Sequence, residues 1–167
     1  MVNLTPDVIC EIEDTVEKYS DMVYRICYVS LKNKSDIEDV FQEVFLKLLQ
    51  RSRPFENELH KKAWLCRVAF NKCKDQNRSS WLRKVERYDE QDAHTYLQAN
   101  EINLLNALQA LPDNYRKVIY LHYYEGYQLV EIAKMLNKNH NTIYTWLRRA
   151  KARIKTQLKE EYIDEGA

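Results

Sequence analysis

Glycine is scarce in this chain: there are two in 167 residues, alongside three prolines. Turn-rich sheet folds and glycine-rich phosphate loops both consume more, so both are disfavoured. Long apolar runs are missing as well, and none approaches the roughly 20 residues that a membrane-spanning helix needs. The N-terminus, MVNLTPDVICEIED, is acidic and lacks the basic start and apolar core of a secretory leader, so the cytoplasm is the expected compartment. The four cysteines, Cys10, Cys27, Cys66 and Cys73, form no Cys-x-x-Cys pair, and no histidine lies at zinc-ligand spacing from them. They read as free, buried thiols, and neither a metal nor a cofactor is expected. His60, His94, His122 and His140 are scattered, and no nucleophile stands beside a base. Enzymatic activity is therefore not expected.

What is present is globular: 45% of residues are hydrophobic and 31% charged. The net charge of +1 conceals a polarised distribution. Between Met1 and Phe45 there are ten acids against four bases. Between Lys61 and Arg87 there are nine bases against Asp75 and Glu86. From Lys138 to Lys159 there are seven bases and no acid. An acidic front and two basic stretches suggest two nucleic-acid footprints and a separate basic partner. Solvated helix faces are the competing explanation for each stretch taken singly.

Apolar periodicity is helical throughout. Ile9, Ile12, Val16, Tyr19, Val23 and Ile26 predict a first helix beginning after Pro6 and ending at Lys32–Lys34. Ser35 and Glu38 have the spacing of a capping box for a second helix, with Ile37, Val40, Phe41, Val44, Phe45 and Leu48 inward and Pro54 closing it. Arg51 to His60 reads as a loop. A third helix follows, with Leu65, Val68, Ala69 and Cys73 inward. Periodicity weakens from Ser79, and residues 79–99 read as a flexible linker. Beyond it, Ile102, Leu105 and Leu108 mark one helix. Pro112 is placed in the first turn of the next, with Val118, Ile119 and His122 along one side, and Gly126 ends it. Leu129, Ile132, Ala133 and Leu136 mark a short helix. Asn137 can take the left-handed turn after it, and Ile143, Leu147, Ala150 and Ile154 seam a last, basic helix. Short helix, tight turn and basic helix make a helix-turn-helix pattern, in which the small Ala133 permits a close crossing. The expected fold is all-α: two small helical domains, 1–78 and 100–167, joined by the linker.

Three polar faces stand out. On the second helix Asp36, Asp39, Gln42, Glu43 and Lys47 share one side, suited to a basic helical partner. On the third, Trp64, Arg67, Asn71, Lys74 and Arg78 recur at steps of three and four. Cations hold phosphates, an amide can pair with a base edge, and an indole can stack on an unpaired base. On the last helix Asn141, Tyr144, Thr145, Arg148 and Lys151 face away from the seam, with Asn139, Thr142 and Arg149 beside them. Asn139 is placed as N-cap. Thr145 and Arg148 suit base edges; Arg149, Lys151 and Arg153 suit phosphates.

Two stretches carry a resemblance. SDIEDVFQEVFLKLLQ with KAWLCRVAFNKCKD resembles region two of extracytoplasmic-function (ECF) sigma factors, in the sigma-70 family of RNA polymerase subunits. ALPDNYRKVIYLHYYEGYQLVEIAKMLNKNHNTIYTWLRRAKARIK resembles their region four. The resemblance implies a sigma factor that directs core RNA polymerase to a narrow class of promoters and melts them. It implies that Asp39, Gln42 and Glu43 grip the clamp helices of the polymerase β′ subunit, and that the β flap is a second polymerase contact. The Arg51–His60 loop and the helix bearing Trp64, Arg67, Asn71, Lys74 and Arg78 would read and melt the minus-ten element. Tyr144, Thr145, Arg148 and Arg149 would enter the minus-thirty-five major groove. An anti-sigma factor is a further implied partner. Asn137 stands where the family usually has Gly, Leu129 where Tyr is common, and Tyr144 and Trp146 replace residues that are frequently basic or small. These departures bear on the minus-thirty-five sequence preferred.

Three rival classes leave different marks. A self-contained repressor or activator predicts a ligand-binding or dimerisation domain in the N-terminal half, where a second basic-aromatic helix stands instead. A helical adaptor without DNA contact does not account for the acid-free basic helix. A nuclease needs metal-binding carboxylates at the basic sites, and they are lacking.

Overall fold

The computed structural model describes residues 4–80 and 97–165, all of its regular elements helical. Two compact units result, Met1–Ala99 and Asn100–Ala167. In the first, α1 (Pro6–Ser30), α2 (Lys34–Leu49) and α3 (Glu58–Ser80) pack against one another in all three pairings. Their seam is fully buried: Val23, Ile26 and Cys27 from α1, Ile37 and Val44 from α2, Leu65 and Ala69 from α3. Each large aliphatic among them contributes about 1.5–3 kcal/mol by leaving water. The N-terminal half of α1 carries less of this load. Ile9 is exposed and Ile12 and Val16 are only half-buried, so the expected core stripe begins in earnest at Tyr19. Cys27, Cys66 and Cys73 are buried free thiols; Cys10, expected with them, is exposed. A hydrogen bond with Cys73, then burial, holds the Cys27 thiol well above its ordinary pKa, so it stays protonated.

The start of α2 differs from the sequence expectation. Asn33, not Ser35, is the N-cap: its Oδ1 accepts the backbone N–H of Asp36 at 2.8 Å. Asp36, expected on the outward face, is buried. Its carboxylate accepts from Asn33 Nδ2 and from Gln76 Nε2 of α3, each at 2.6 Å. One residue thus joins the first turn of α2 to the last part of α3. The loop after α2 is also shorter than expected. Asn57 Oδ1 accepts the His60 N–H at 2.8 Å, which caps α3 and takes Glu58–His60 into it. The other end of α3 runs to Ser80, and α4 already includes Ala99, so the expected linker is helical at both margins. Its interior, with Arg83, Lys84 and Arg87, lies outside the described residues.

The second unit comprises α4 (Ala99–Gln109), α5 (Asp113–Ile119), α6 (Leu129–Leu136) and α7 (His140–Glu165). Pro112 is the N-cap of α5 rather than its first residue. Arg116 ties α4 to α5 by donating to the carbonyls of Leu108 (3.2 Å), Gln109 (3.2 Å) and Leu111 (2.8 Å). Leu108 and Gln109 stand in the last turn of α4, so the guanidinium closes the end of that helix. A π-helical turn, Tyr120–Tyr124, follows α5; nothing in the periodicity announces it. Within it Tyr120 and Tyr124 stack with centroids 5.2 Å apart, and Tyr120 donates to Glu125 at 2.8 Å. Gly126 then turns the chain at φ 73°, where a Cβ would be strained.

The contrast between Asp36 and Asp39 is testable. Asp36→Ala strands Gln76 and removes the acceptor that steadies the Asn33 amide, and is expected to lower stability by about 2 kcal/mol. Asp39→Ala, on the exposed face, should change it by less than about 0.5 kcal/mol. Urea denaturation of the two variants beside the parent measures both.

Candidate polymerase and nucleic-acid interfaces

With Asp36 drawn inward, the outward face of α2 carries Asp39, Gln42, Glu43 and Lys47, all exposed. Leu46 continues it one turn on, with half its surface in water. Sequence reasoning passed over Leu46, although it follows Asp39 and Glu43 by seven and three residues and sits on none of the core spacings. Glu43 is held by Lys72 of α3, Nζ to Oε2 2.9 Å.

On α3 the structure presents Arg67, Asn71, Lys74 and Arg78 together on one exposed face. Trp64 does not join them. It is 9% exposed, its ring edge-on to Phe55 with centroids 5.5 Å apart. The expected stacking role on an open face is therefore corrected: the indole supports the 51–57 loop. The loop itself is an ordered cation–aromatic cluster. The Arg51 guanidinium lies 4.3 Å from the Phe55 centroid and 5.2 Å from that of Trp64, and Phe55 meets His60 edge-on at 5.5 Å. Beside it opens a cavity of about 420 Å³, reached by Arg51, Arg53, Phe55 and Lys61 from the loop side and by Glu11 and Thr15 from α1.

The junction of α1 and α3 next to this cavity is ionic. Glu58 accepts from Lys18 Nζ at 2.9 Å and from Tyr19 Oη at 2.7 Å, and pairs with Lys61 Nζ at 3.2 Å. The Lys18 bond first, then those of Tyr19 and Lys61, push the Glu58 carboxyl down to about 2. Burial, reinforced by the same carboxylate, raises the Tyr19 hydroxyl pKa and keeps it protonated. Lys61 reaches back to Glu11 at 3.3 Å, which makes it a buried cation shared by two acids.

In the second unit, Asn137 takes the left-handed conformation (φ 51°, ψ 52°) that the turn requires. Asn139 Oδ1 accepts the Thr142 N–H at 2.8 Å and so caps α7. Ala133 is buried where α6 packs on α7. Glu131 caps α6 by accepting from the Gln128 N–H at 2.7 Å. Asn139 before α7 and Asn141, Tyr144, Arg148, Arg149 and Lys151 on it are exposed, and Thr142 and Thr145 half-buried. Lys151 and Arg153 are also engaged at rings, 5.5 Å from Tyr123 and 5.6 Å from Tyr115 respectively. Further along α7 lies an apolar groove of about 610 Å³. Leu104, Tyr123, Ile154 and Leu158 line it, and Lys151, Lys155 and Lys159 border it. Leu104 and Leu158 fall off the core seams, which is the sequence signal that could have disclosed it.

An acidic face beside a basic one, and a capped basic helix after a left-handed turn, are surfaces of the kind a transcription factor needs. Comparison with known proteins agrees. Residues 15–83 match sigma-70 region 2 and residues 101–154 match sigma-70 region 4. The chain is 30% identical over 165 residues to the ECF RNA polymerase sigma factor SigW of Bacillus subtilis, covering 88% of each chain. It is 29% identical over 143 residues to the RNA polymerase sigma factor SigV of the same organism, covering 83% of this chain and 85% of that one. In fold it is similar to the sigma factor RpoE of Bartonella quintana, solved with the anti-sigma factor NepR (TM-score 0.71, 20% identity, 89% and 97% coverage). It is similar also to CnrH, solved with the cytosolic domain of CnrY (TM-score 0.62, 21% identity, 89% and 88% coverage). The chain belongs to the ECF sigma factors of the sigma-70 family. It is an RNA polymerase sigma factor, a transcription initiation factor rather than a catalyst. Among the described residues no helix is long and apolar enough to cross a membrane.

The low Glu58 pKa gives a pH signature. A carboxyl whose folded pKa lies below its unfolded value stabilises the fold above the unfolded value, about 4.3. That contribution fades as pH falls through the window down to about 2. Urea midpoints of the parent should therefore exceed those of Glu58→Gln at pH 7, and the gap should close between pH 4.5 and 2. The gap is expected to be small, because the group is exposed and solvent screens it.

Proposed function

We infer that this sigma factor recognises a narrow promoter class in two parts while α2 holds the polymerase. The observation that carries the reading is the adjacency of two unlike faces in one unit. Asp39, Gln42 and Glu43 offer acid and amide on α2; Arg67, Asn71, Lys74 and Arg78 offer cations and an amide on α3. One face suits the β′ clamp helices, the other a DNA strand. Residues 1–78 then serve polymerase docking and the minus-ten element, and residues 100–167 the minus-thirty-five element. The ordered loop around Phe55 and the cavity beside it supply a place for a base that has left the duplex. That division favours capture of single-stranded DNA by the first unit, with melting as its consequence.

In the second unit, α7 enters the major groove. Asn139, Thr142, Tyr144 and Thr145 stand at its start, Arg148 reads a base edge, and Arg149 and Lys151 hold phosphates. The lysine-bordered groove on the same helix fits an apolar segment with acidic flanks, and we assign it to the β flap. An anti-sigma factor, the partner present in the solved complex of RpoE, would act by covering these polymerase-binding surfaces. The compartment is that of the polymerase, the cytoplasm.

Asn71→Ala tests the first unit. Permanganate footprinting on duplex promoter should show impaired opening, and a template pre-melted at the minus-ten element should partly restore transcription. Normal opening removes Asn71 from the readers. Arg148→Ala tests the second. A bidentate arginine–guanine contact is worth about 1–3 kcal/mol of discrimination, so selection from randomised minus-thirty-five sites should relax at one position. Lys151→Ala should instead weaken all sequences alike and lower the salt slope by about one. Unchanged base preferences in Arg148→Ala would assign base reading elsewhere.

A further inference from the structure

The ion pair between Glu43 and Lys72 sits in an unusual place. Glu43 lies in the middle of the exposed α2 stripe, and Lys72 reaches it from α3 at 2.9 Å. The Glu43 side chain is 47% exposed and that of Lys72 32%, so the pair is hydrated and a minor support for the fold. The packing of α2 on α3 already rests on Ile37, Val44, Leu65 and Ala69, and on the Asp36–Gln76 hydrogen bond. The pair therefore matters less for folding than for what it does to the face. It removes about one negative charge from a surface whose other acid is Asp39, and it occupies one of the two oxygens that Glu43 offers.

We propose that Lys72 is an internal competitor for Glu43 and thereby sets how tightly the chain binds RNA polymerase. The proposal rests on the reading of α2 as the polymerase-docking face. A basic partner helix brings its own cation to Glu43. That cation meets a carboxylate already neutralised, with a second ammonium within a few ångströms. As water leaves the interface, repulsion between the two cations strengthens and the old pair must open or be shared. Lys72 thus subtracts from the affinity that Asp39, Gln42 and Glu43 supply. Without its charge Glu43 faces the partner at full strength, and attraction at a distance rises as well.

The test is a fluorescence titration of the full-length chain with core RNA polymerase at two salt concentrations. Lys72→Met keeps the alkyl stem that packs beside α2 and removes only the charge. It should bind core about two- to five-fold tighter than the parent at low salt, with the advantage shrinking at high salt. Lys72→Arg should bind like the parent. Glu43→Gln should bind more weakly, and adding Lys72→Met to it should gain less affinity than the same change gains in the parent. Lys72→Gln gives the same reading should the methionine variant not fold, and circular dichroism checks both. Equal or weaker binding by the charge-removed variants, with Glu43→Gln still weakened, overturns the competitor and leaves the docking face standing. Undiminished binding by Glu43→Gln overturns the docking face and the competitor with it.

Discussion

A carboxylate taken out of water must be answered by donors, and in the first unit that demand falls on Asp36. Its two oxygens are met by Asn33 and by Gln76, and its own N–H is met by Asn33. Apolar seams are forgiving of small rotations and slides; a buried carboxylate with two short hydrogen bonds is not. Moving α2 by a turn or rotating it by a residue would leave that charge unanswered, at a cost of several kcal/mol. The node fixes which residues of α2 look outward. It sends Asp39, Gln42, Glu43 and Leu46 to the surface, and it places that surface beside the cationic face of α3. The proposed docking and DNA-contacting faces are adjacent because one acid–amide bond sets the register between the helices that carry them.

The second unit solves a similar problem with turn chemistry. The left-handed Asn137 reverses the chain in few residues, Asn139 satisfies the first free donors of α7, and Ala133 lets α6 and α7 approach. Rigid support of a recognition helix depends on each, because a frayed first turn would blur the positions of Thr142, Tyr144 and Thr145. The Arg116 clasp on three carbonyls extends the same economy of polar groups to the α4–α5 corner.

Much of this is written in local sequence. The helical seams follow the three-and-four spacing, and the Asn137 turn and Asn139 cap follow from side-chain chemistry that acts within a few residues. What sequence hides is tertiary. Asp36 has the spacing of a surface acid and is buried because Gln76, forty residues on, meets it. Trp64 has the spacing of an exposed stripe and is covered because the 51–57 loop folds back over it. Ser35 has the right spacing to Glu38 for a cap, yet Asn33 starts the helix two residues earlier by accepting the Asp36 N–H. The π turn at Tyr120–Tyr124 has no short-range signature, and the off-seam Leu104 and Leu158 hint at apolar exposure without showing that packing brings them into one groove.

The proposed function rests on α2 as the site where the chain meets RNA polymerase. Charge reversal at the centre of that face, Glu43→Lys, isolates it, because the residue is exposed and its replacement leaves the Asp36 node intact. Titrated with core RNA polymerase, the folded variant should bind about ten-fold more weakly or worse, as like charges are forced together across the interface. Binding as tight as that of the parent, with the fold unchanged, would contradict the account.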